Sequence, residues 1–520
     1  MDTMDFKVNR EIFTAGTVIL DSSCEQSVER DFVLPDYCPD IFRILKCRIT
    51  PKVTSQSING EKLTFELSVL IRVLYQSEGS SKINCLEQKV NYSKSVDISG
   101  ECSNPMISIT PRTDYVNCRV VNQRRLDVRG AVTSRVKVTG EKKQPVVVDA
   151  FGGNIQLKKT LVTYPAKRLV ASKRVTVIEE LELGGSKPAV GAVIRSDCTV
   201  FPHEQKIIAG KLVTKGDAEI SMLYTCTKDG TEDSAEPMKF TIPFSQIIDI
   251  EGIDESFEAF VDITPGSCEI MPKGENASSL ECELVLIVNC TALKYETCEA
   301  VTDAYSTCYE CEMENSGCRL DSKPMAINET HALSAQVTYE DECIKCIYDA
   351  WCEADNLSVR FDETGGKFIA SGSVNFSLIG KNESNCPIYL EAEAAFDHDI
   401  EVSENCNGNN SYIEPKVRVK SCSYHLLDGH TAEVKAEIEI GGYLYEACAK
   451  TMLCDLKAMT DKPKEKQNGY ALKLCYCSGH EDIWEIAKKY STSVTAILEE
   501  NDLTDDKLSD CGMLLIPLTN

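Results

Sequence analysis

The side chains whose spacing could support chemistry are thiols. Cys308-Tyr-Glu-Cys311 and Cys343-Ile-Lys-Cys346 are two CxxC pairs about thirty residues apart, with Cys298, Cys318 and Cys352 close by in sequence. Two such pairs can enclose a zinc ion with four thiolates in tetrahedral geometry. Their separation exceeds the usual zinc-ribbon spacing, however, and neither pair carries a glycine knuckle. Cys343 and Cys346 also lie beside Ile344 and Ile347, as buried strand residues would. The expectation is no metal and no cofactor, with Cys308, Cys311, Cys343 and Cys346 as the residues a zinc ion would use if one bound. The six histidines are scattered, none in an HExxH motif or beside a Ser or Cys nucleophile with an orienting acid. No GxxxxGK[ST] motif occurs, which excludes a phosphate-cradling loop of that type. Carboxylates are plentiful, but an acidic surface supplies them as readily as an acid–base pair does. The chain reads as a non-enzyme.

Composition narrows the partners. Acidic residues outnumber basic ones 81 to 55, a formal charge of −26, so neither nucleic acid nor an anionic membrane surface is an expected partner. Apolar residues make up 42% of 520 positions, enough for several packed cores. No apolar run is long enough to predict a transmembrane segment. The charges in MDTMDFKVNREIFTAG leave no apolar stretch for a signal peptide, so an intracellular chain is expected. Its 26 cysteines then stay reduced and act as small apolar residues. The competing reading, a secreted cysteine-rich adhesin, would need disulfides.

The organising element is a strand that recurs. Gly60 to Tyr75 reads GEKLTFELSVLIRVLY, Gly210 to Tyr224 reads GKLVTKGDAEISMLY, and Gly366 to Gly380 reads GKFIASGSVNFSLIG. Roughly every second side chain is apolar, the period of a strand with one buried face. The flanks recur too: Leu34-Pro-Asp-Tyr-Cys-Pro39 and Lys187-Pro188 before, Val90-Asn-Tyr92-Ser and Ile242-Pro-Phe244-Ser after, then Ile107-Ser-Ile-Thr-Pro111 and Val261-Asp-Ile-Thr-Pro265. A period of well over a hundred residues is too long for a solenoid, so it marks tandem domains. The predicted organisation is a lead-in (1–30), repeat 1 (31–153), repeat 2 (173–293), a Cys-rich connector (294–338) containing an Ala304-Tyr305-Ser306 turn, repeat 3 (339–454), a linker (455–469) and a C-terminal module (470–520). The fold class is mainly β, three antiparallel sandwiches or open barrels followed by a small α+β unit. In repeat 1, Asn117 to Gly130 is unusually basic, as a half-exposed strand face or a docking patch would be.

In the C-terminal module the period changes. Ile483, Ile486, Ala487 and Tyr490 form one helical stripe, and Val494, Ile497 and Leu498 a second that follows the N-capping hydroxyls of Ser491-Thr-Ser493. With strands at Leu472–Cys477 and Met513–Pro517 the order is strand, helix, helix, strand. Ile483-Trp484-x-Ile486-Ala487-Lys-Lys-Tyr490, Ile497-Leu498-x-x-Asn501-x-Leu503 and Gly512-x-x-Leu515-Ile516-Pro517 make this segment resemble a LysM domain over its whole length. LysM domains bind N-acetylglucosamine glycans, and a glycan-binding envelope anchor is the alternative function. Where the usual first loop reads Gly-Asp-Thr-Leu, this chain has His480-Glu481-Asp482-Ile483, with Gly479 one place early; a backbone-lined sugar groove needs that small residue.

The repeats resemble the SPOCS domain of clostridial and bacillar sporulation proteins, through Leu34-Pro-Asp-Tyr-x-Pro-Asp-Ile41, the Tyr75-ended strand, Ile242-Pro-Phe-Ser245 and Asn117-Cys-Arg-Val-Val-Asn-x-Arg124-Arg-Leu-Asp-Val. SPOCS repeats followed by one LysM domain is the arrangement of a family of spore morphogenetic proteins. The resemblance implies a mother-cell scaffold at the forespore surface that gathers the coat by binding the SpoIVA-type basement coat ATPase, with other coat proteins or further copies as additional partners. It implies a protein-binding LysM domain, for which the candidate contact residues are Asp482, Trp484, Lys488, Asn501, Leu503, Asp505 and Lys507.

Overall fold

The computed structural model of the chain describes residues 6–99, 103–184, 187–228, 232–273, 279–402, 408, 410–465, 471–478, 481–504 and 511–518. The apolar–polar alternation becomes strand almost throughout. The first unit holds β1 (Lys7–Val33), β2 (Ile41–Asn59), β3 (Lys62–Ser77), β4 (Ile83–Asp97), β5 (Met106–Asn122) and β6 (Arg125–Phe151). The second repeats that order as β7 (Ile155–Glu182), β8 (Ala192–Ile208), β9 (Lys211–Lys228), β10 (Glu232–Asp249), β11 (Glu258–Lys273) and β12 (Ser279–Ser306). In the third the leading strand is split into β13 (Tyr309–Asp321) and β14 (Met325–Thr338) at Pro324, which has no N–H to give a ladder. Then follow β15 (Ile344–Asp362), β16 (Lys367–Asn382), β17 (Pro387–Ile400), β18 (Ser411–Leu426) and β19 (Thr431–Pro463).

Each unit is two facing antiparallel sheets. One is a meander, β2-β3-β4, β8-β9-β10 or β15-β16-β17, whose central strand is the recurring stretch seen in the sequence. That strand is entered through Gly60, Gly210 or Gly366, each at positive φ (61°, 75° and 62°), where a Cβ would be strained. The other sheet is β1-β6-β5, β7-β12-β11, or β19 flanked by β18, β13 and β14. Their inner faces share one core per unit: Leu67, Ile71 and Tyr75 meet Val28, Leu126 and Val128, just as Ile220 and Tyr224 meet Leu284 and Leu286. Phe376 and Leu378 meet Val434 and Ile438 in the third.

The long strands run 27 to 33 residues, far beyond the ~3–10 usual for a strand, because they serve two cores. Beyond the sandwich they continue as two-stranded ribbons: β1 with the end of β6, β7 with the end of β12, and β13 with the end of β19. The three ribbons pack on one another. Phe13, Val146, Tyr164, Ala300, Leu320 and Met452 form one shared cluster, within which the Phe13 and Tyr164 rings stack at 3.8 Å. The meanders meet as well, through the equivalent residues Leu74, Leu223 and Ile379. The units thus surround a common axis instead of following one another as beads. Arg195 pairs with Asp349 at 2.9 Å and Arg48 pairs with Glu353, both between units, beside a partly open cavity of about 1000 Å³.

This packing explains where the architecture departs from the sequence reading. The lead-in, from residue 7 onward, is β1, paired with β6 along its whole length. The connector 294–338 is the end of β12, all of β13 and β14, and Ala304-Tyr305-Ser306 is strand, not turn. The linker's first part is the end of β19. Part of each segment is ribbon, and there Phe13 of β1, Ala300 and Ala304 of β12, Leu320 of β13 and Leu456 of β19 are buried in clusters shared between units, a burial that a single domain would not give them.

The C-terminal unit comprises β20 (Leu472–Cys477), α1 (Ile483–Tyr490), α2 (Val494–Glu500) and β21 (Gly512–Pro517), with β20 antiparallel to β21. The expected strand–helix–helix–strand order is present. No helix among the described residues is long and apolar enough to cross a membrane.

Candidate partner-binding site

The C-terminal unit has its own small core of Cys477, Ile483, Ile486, Ala487, Ile497, Leu514 and Ile516. Asp482 caps α1, its carboxylate accepting from the Trp484 backbone N–H at 2.9 Å, and Ser493 caps α2 through the Ala496 N–H at 3.1 Å. Between them Ser491 turns the chain at φ 53°, its N–H donating to the Lys488 carbonyl.

The α1 surface that carries the sequence-predicted residues faces the second ribbon. The Trp484 indole is 7% exposed; its Nε1–H donates to Asp303 Oδ2 at 2.7 Å, and its ring meets Tyr305 edge-on at 4.9 Å. Lys488 Nζ donates to both Asp303 oxygens at 2.7 Å. Lys158, cross-strand partner of Asp303, donates to Asp482 Oδ2 at 2.6 Å, and that hydrogen bond holds the Lys158 ammonium above its ordinary pKa. The ribbon's Lys158–Asp303 pair is therefore read by an Asp482–Lys488 pair of opposite polarity. The Tyr305 hydroxyl, its pKa raised by burial, donates to the Thr492 carbonyl at 2.7 Å. Lys464 closes the arrangement by donating to the Ser306 carbonyl at 2.9 Å and Ser491 Oγ at 3.2 Å.

The structure thus brings Asp482, Trp484 and Lys488 together and places Asn501 and Leu503 elsewhere in the unit. Asn501 ties α2 to β21: its Nδ2 donates to the Ile497 and Leu515 carbonyls at 2.8 and 2.7 Å, and its Oδ1 accepts from the Leu515 N–H at 2.8 Å. Leu503 packs against the unit's core. Asp505 and Lys507, like Gly479 and His480, lie outside the described residues. Sequence reasoning missed Lys158, Asp303 and Tyr305. The available signal was a recurring apolar-x-Asp-apolar step, Val147 to Ala150, Val301 to Ala304 and Leu453 to Leu456.

The outward face of the unit is apolar. Leu472, Leu474 and Tyr476 on β20 lie beside Met513 and Leu515 on β21, and Tyr476 and Met513 are 68% and 58% exposed.

The two CxxC pairs lie on different elements. Cys308 and Cys311 are at the ribbon base, where the Lys464 N–H donates to the Cys308 carbonyl at 2.8 Å. Cys343 is at the entry to β15, 3.4 Å from His430 Nε2, with Cys346 three residues on. No group of three or more His, Cys, Asp and Glu among the described residues is arranged to hold a metal ion.

Residues 40–121 and 189–271 match the family model for the SPOCS domain of SipL. The chain is a SPOCS-domain protein. Each SPOCS match begins before a meander and runs into the strand that follows it, β5 or β11, so the long ribbon strands fall outside the matched stretches. The third unit shares the strand order of the two matched units, with its leading strand split at Pro324. The matched domain is that of a sporulation-related family. No curated protein and no solved structure matches it.

Proposed function

We propose that this SPOCS-domain protein is a non-enzymatic spore morphogenetic scaffold of the SipL kind, which gathers coat proteins at the forespore surface by binding the SpoIVA-type basement coat ATPase. The contact is made largely by the C-terminal unit, read as a LysM domain. The observation that carries this reading is the unit itself: a separately cored module, joined to the SPOCS body by a short connection, with a strip of exposed apolar side chains from Leu472 to Leu515. Contiguous exposed apolar surface of this kind marks protein contact sites. The two SPOCS matches and the LysM-like motif order support the sporulation setting. Linking such a head to a large body raises the effective concentration of further weak contacts, so none need be tight.

The test compares the full chain with one ending at residue 463 for binding to purified SpoIVA-type ATPase and to chitooligosaccharide. Loss of ATPase binding on truncation supports the proposal, and undiminished binding overturns it. Sugar binding without ATPase binding would make the chain an envelope anchor instead.

A further inference from the structure

Asp303 has two counterparts. Each ribbon bulges at the same place, and the aspartate after the bulge accepts from the next backbone N–H: Asp149 from Ala150 at 3.0 Å, Asp303 from Ala304 at 2.9 Å and Asp455 from Leu456 at 2.8 Å. The registers set Arg10 opposite Val147, Lys159 opposite Val301 and Asn315 opposite Leu453, so residues 10, 159 and 315 are equivalent. Two of the aspartates take the cation of the next ribbon around the axis, Asp149 with Lys159 at 3.1 Å and Asp455 with Arg10. The remaining step would join Asp303 to residue 315, which is asparagine and carries no charge. Asp303 takes Lys488 and the Trp484 indole instead. The C-terminal unit is docked at the step of the ring where the ribbon cation is missing.

The charged part of the contact is weak. Its ion pairs join side chains that are 23% to 39% exposed, and such pairs are individually weak. Apart from Tyr305 the C-terminal core is its own, so undocking leaves it intact. Beside these pairs the buried Trp484 and Tyr305 rings meet edge-on, so the contact is part polar and part aromatic.

We propose that the α1 face of Trp484 and Lys488 is a receptor for a carboxylate beside an aromatic ring on an extended strand, filled in cis by Asp303 and Tyr305, and that a partner presenting the same pair gains it by exchange. The exchange rests on the C-terminal unit being the partner-binding element. The cis ligand then lowers partner affinity by the fraction of chains that are open.

The test uses the full chain carrying Trp351→Phe, which leaves Trp484 as its one indole. Asn315→Lys supplies the missing ring cation, and Asp303→Asn neutralises the carboxylate. Both should shift Trp484 emission to the red, raise its quenching by acrylamide, and tighten SpoIVA-type ATPase binding by about tenfold, the gain expected when the closed form dominates. A peptide of residues 299–307, which carries Asp303 and Tyr305, should bind these opened variants and lose binding when Trp484→Ala is added. Unshifted emission in both variants overturns the docking. Shifted emission with unchanged ATPase affinity, or without peptide binding, overturns the exchange. Full ATPase binding by a chain ending at residue 463 would instead defeat the underlying reading, and the emission and peptide results would still decide whether the face is a receptor.

Discussion

Lys488 Nζ lies 2.7 Å from both carboxylate oxygens of Asp303, whose cross-strand neighbour Lys158 is itself claimed by Asp482. The two bridges oppose each other in polarity, so the charges help to fix the register of the docking. Lys158→Glu would set two carboxylates together at Asp482. Part-exposed pairs contribute about 0.2–1 kcal/mol each, and raising salt to ~1 M shrinks the Debye length to ~3 Å. Trp484 quenching by acrylamide should rise with salt in the parent and start high, with little further rise, in Lys158→Glu. Salt-independent quenching in the parent would show that the Tyr305 and Trp484 packing holds the unit without the charges.

The Tyr75 hydroxyl donates to the Pro39 carbonyl at 3.2 Å, and Tyr224 to Pro188 at 3.1 Å, so two rings buried in separate cores fasten the loop that enters each meander. Tyr75→Phe and Tyr224→Phe each leave a carbonyl short of its donor, at a cost of about 0.5–1.5 kcal/mol, and should add because the sites share no contact. In the third unit Gly380 takes the tyrosine's place, and a Cβ there would meet the Cys346 carbonyl oxygen at 2.2 Å. Gly380→Ala should therefore destabilise by about 1–3 kcal/mol, the usual range for overpacking. Denaturant midpoints measure all three, and a neutral Gly380→Ala would mean that β15 yields freely.

The recurring strand, its leading glycine and the prolines that recur before it were legible in the sequence because they obey local rules: alternation, a turn and a single buried face. The C-terminal helices were legible through their apolar stripes and, for the second, the Ser491-Thr-Ser493 hydroxyls, whereas the Asp482 cap of the first was not read. The ribbons were not. Phe13 and Tyr164 are buried only because another unit covers them, and β1 alternates against two different neighbours along its length, which dilutes the signal in a charged context. Trp484 was visible as an unusual aromatic, but its partner Asp303 lies 181 positions away and is singled out only by comparison with Asp149 and Asp455.

Arg195 joins the second and third units. It is 8% exposed, pairs with Asp197 and with Asp349, and lies 4.5 Å from the centre of the Trp351 ring. Burial raises the Asp349 carboxyl above its ordinary pKa, so the guanidinium is what keeps its charged form tolerable. Arg195→Met keeps apolar volume and removes the charge, which leaves two carboxylates facing an inter-unit space. Breaking a buried pair in this way costs about 3–5 kcal/mol. The loss should appear in the midpoint of chemical denaturation, and adding Asp349→Asn should recover part of it. A loss below ~1 kcal/mol would mean that water in the cavity already solvates these groups.

His331 gives the fold a pH dependence of defined sign. Its Nδ1 is 3.2 Å from His398 Nδ1, its ring lies 5.6 Å from Phe396, and His398 Nε2 contacts Glu329 at 2.6 Å. Burial, then the neighbouring His398, hold the His331 pKa below its ordinary value. The unfolded chain therefore takes up a proton near pH ~6.5 that the folded chain still refuses. The contribution is complete above that pH and is lost as the pH falls through the lower folded value. His331→Gln should flatten the fall in unfolding free energy between about pH 7.5 and 5.5, where most carboxylates remain ionised. Parallel slopes for parent and variant over that range would assign the dependence to other groups.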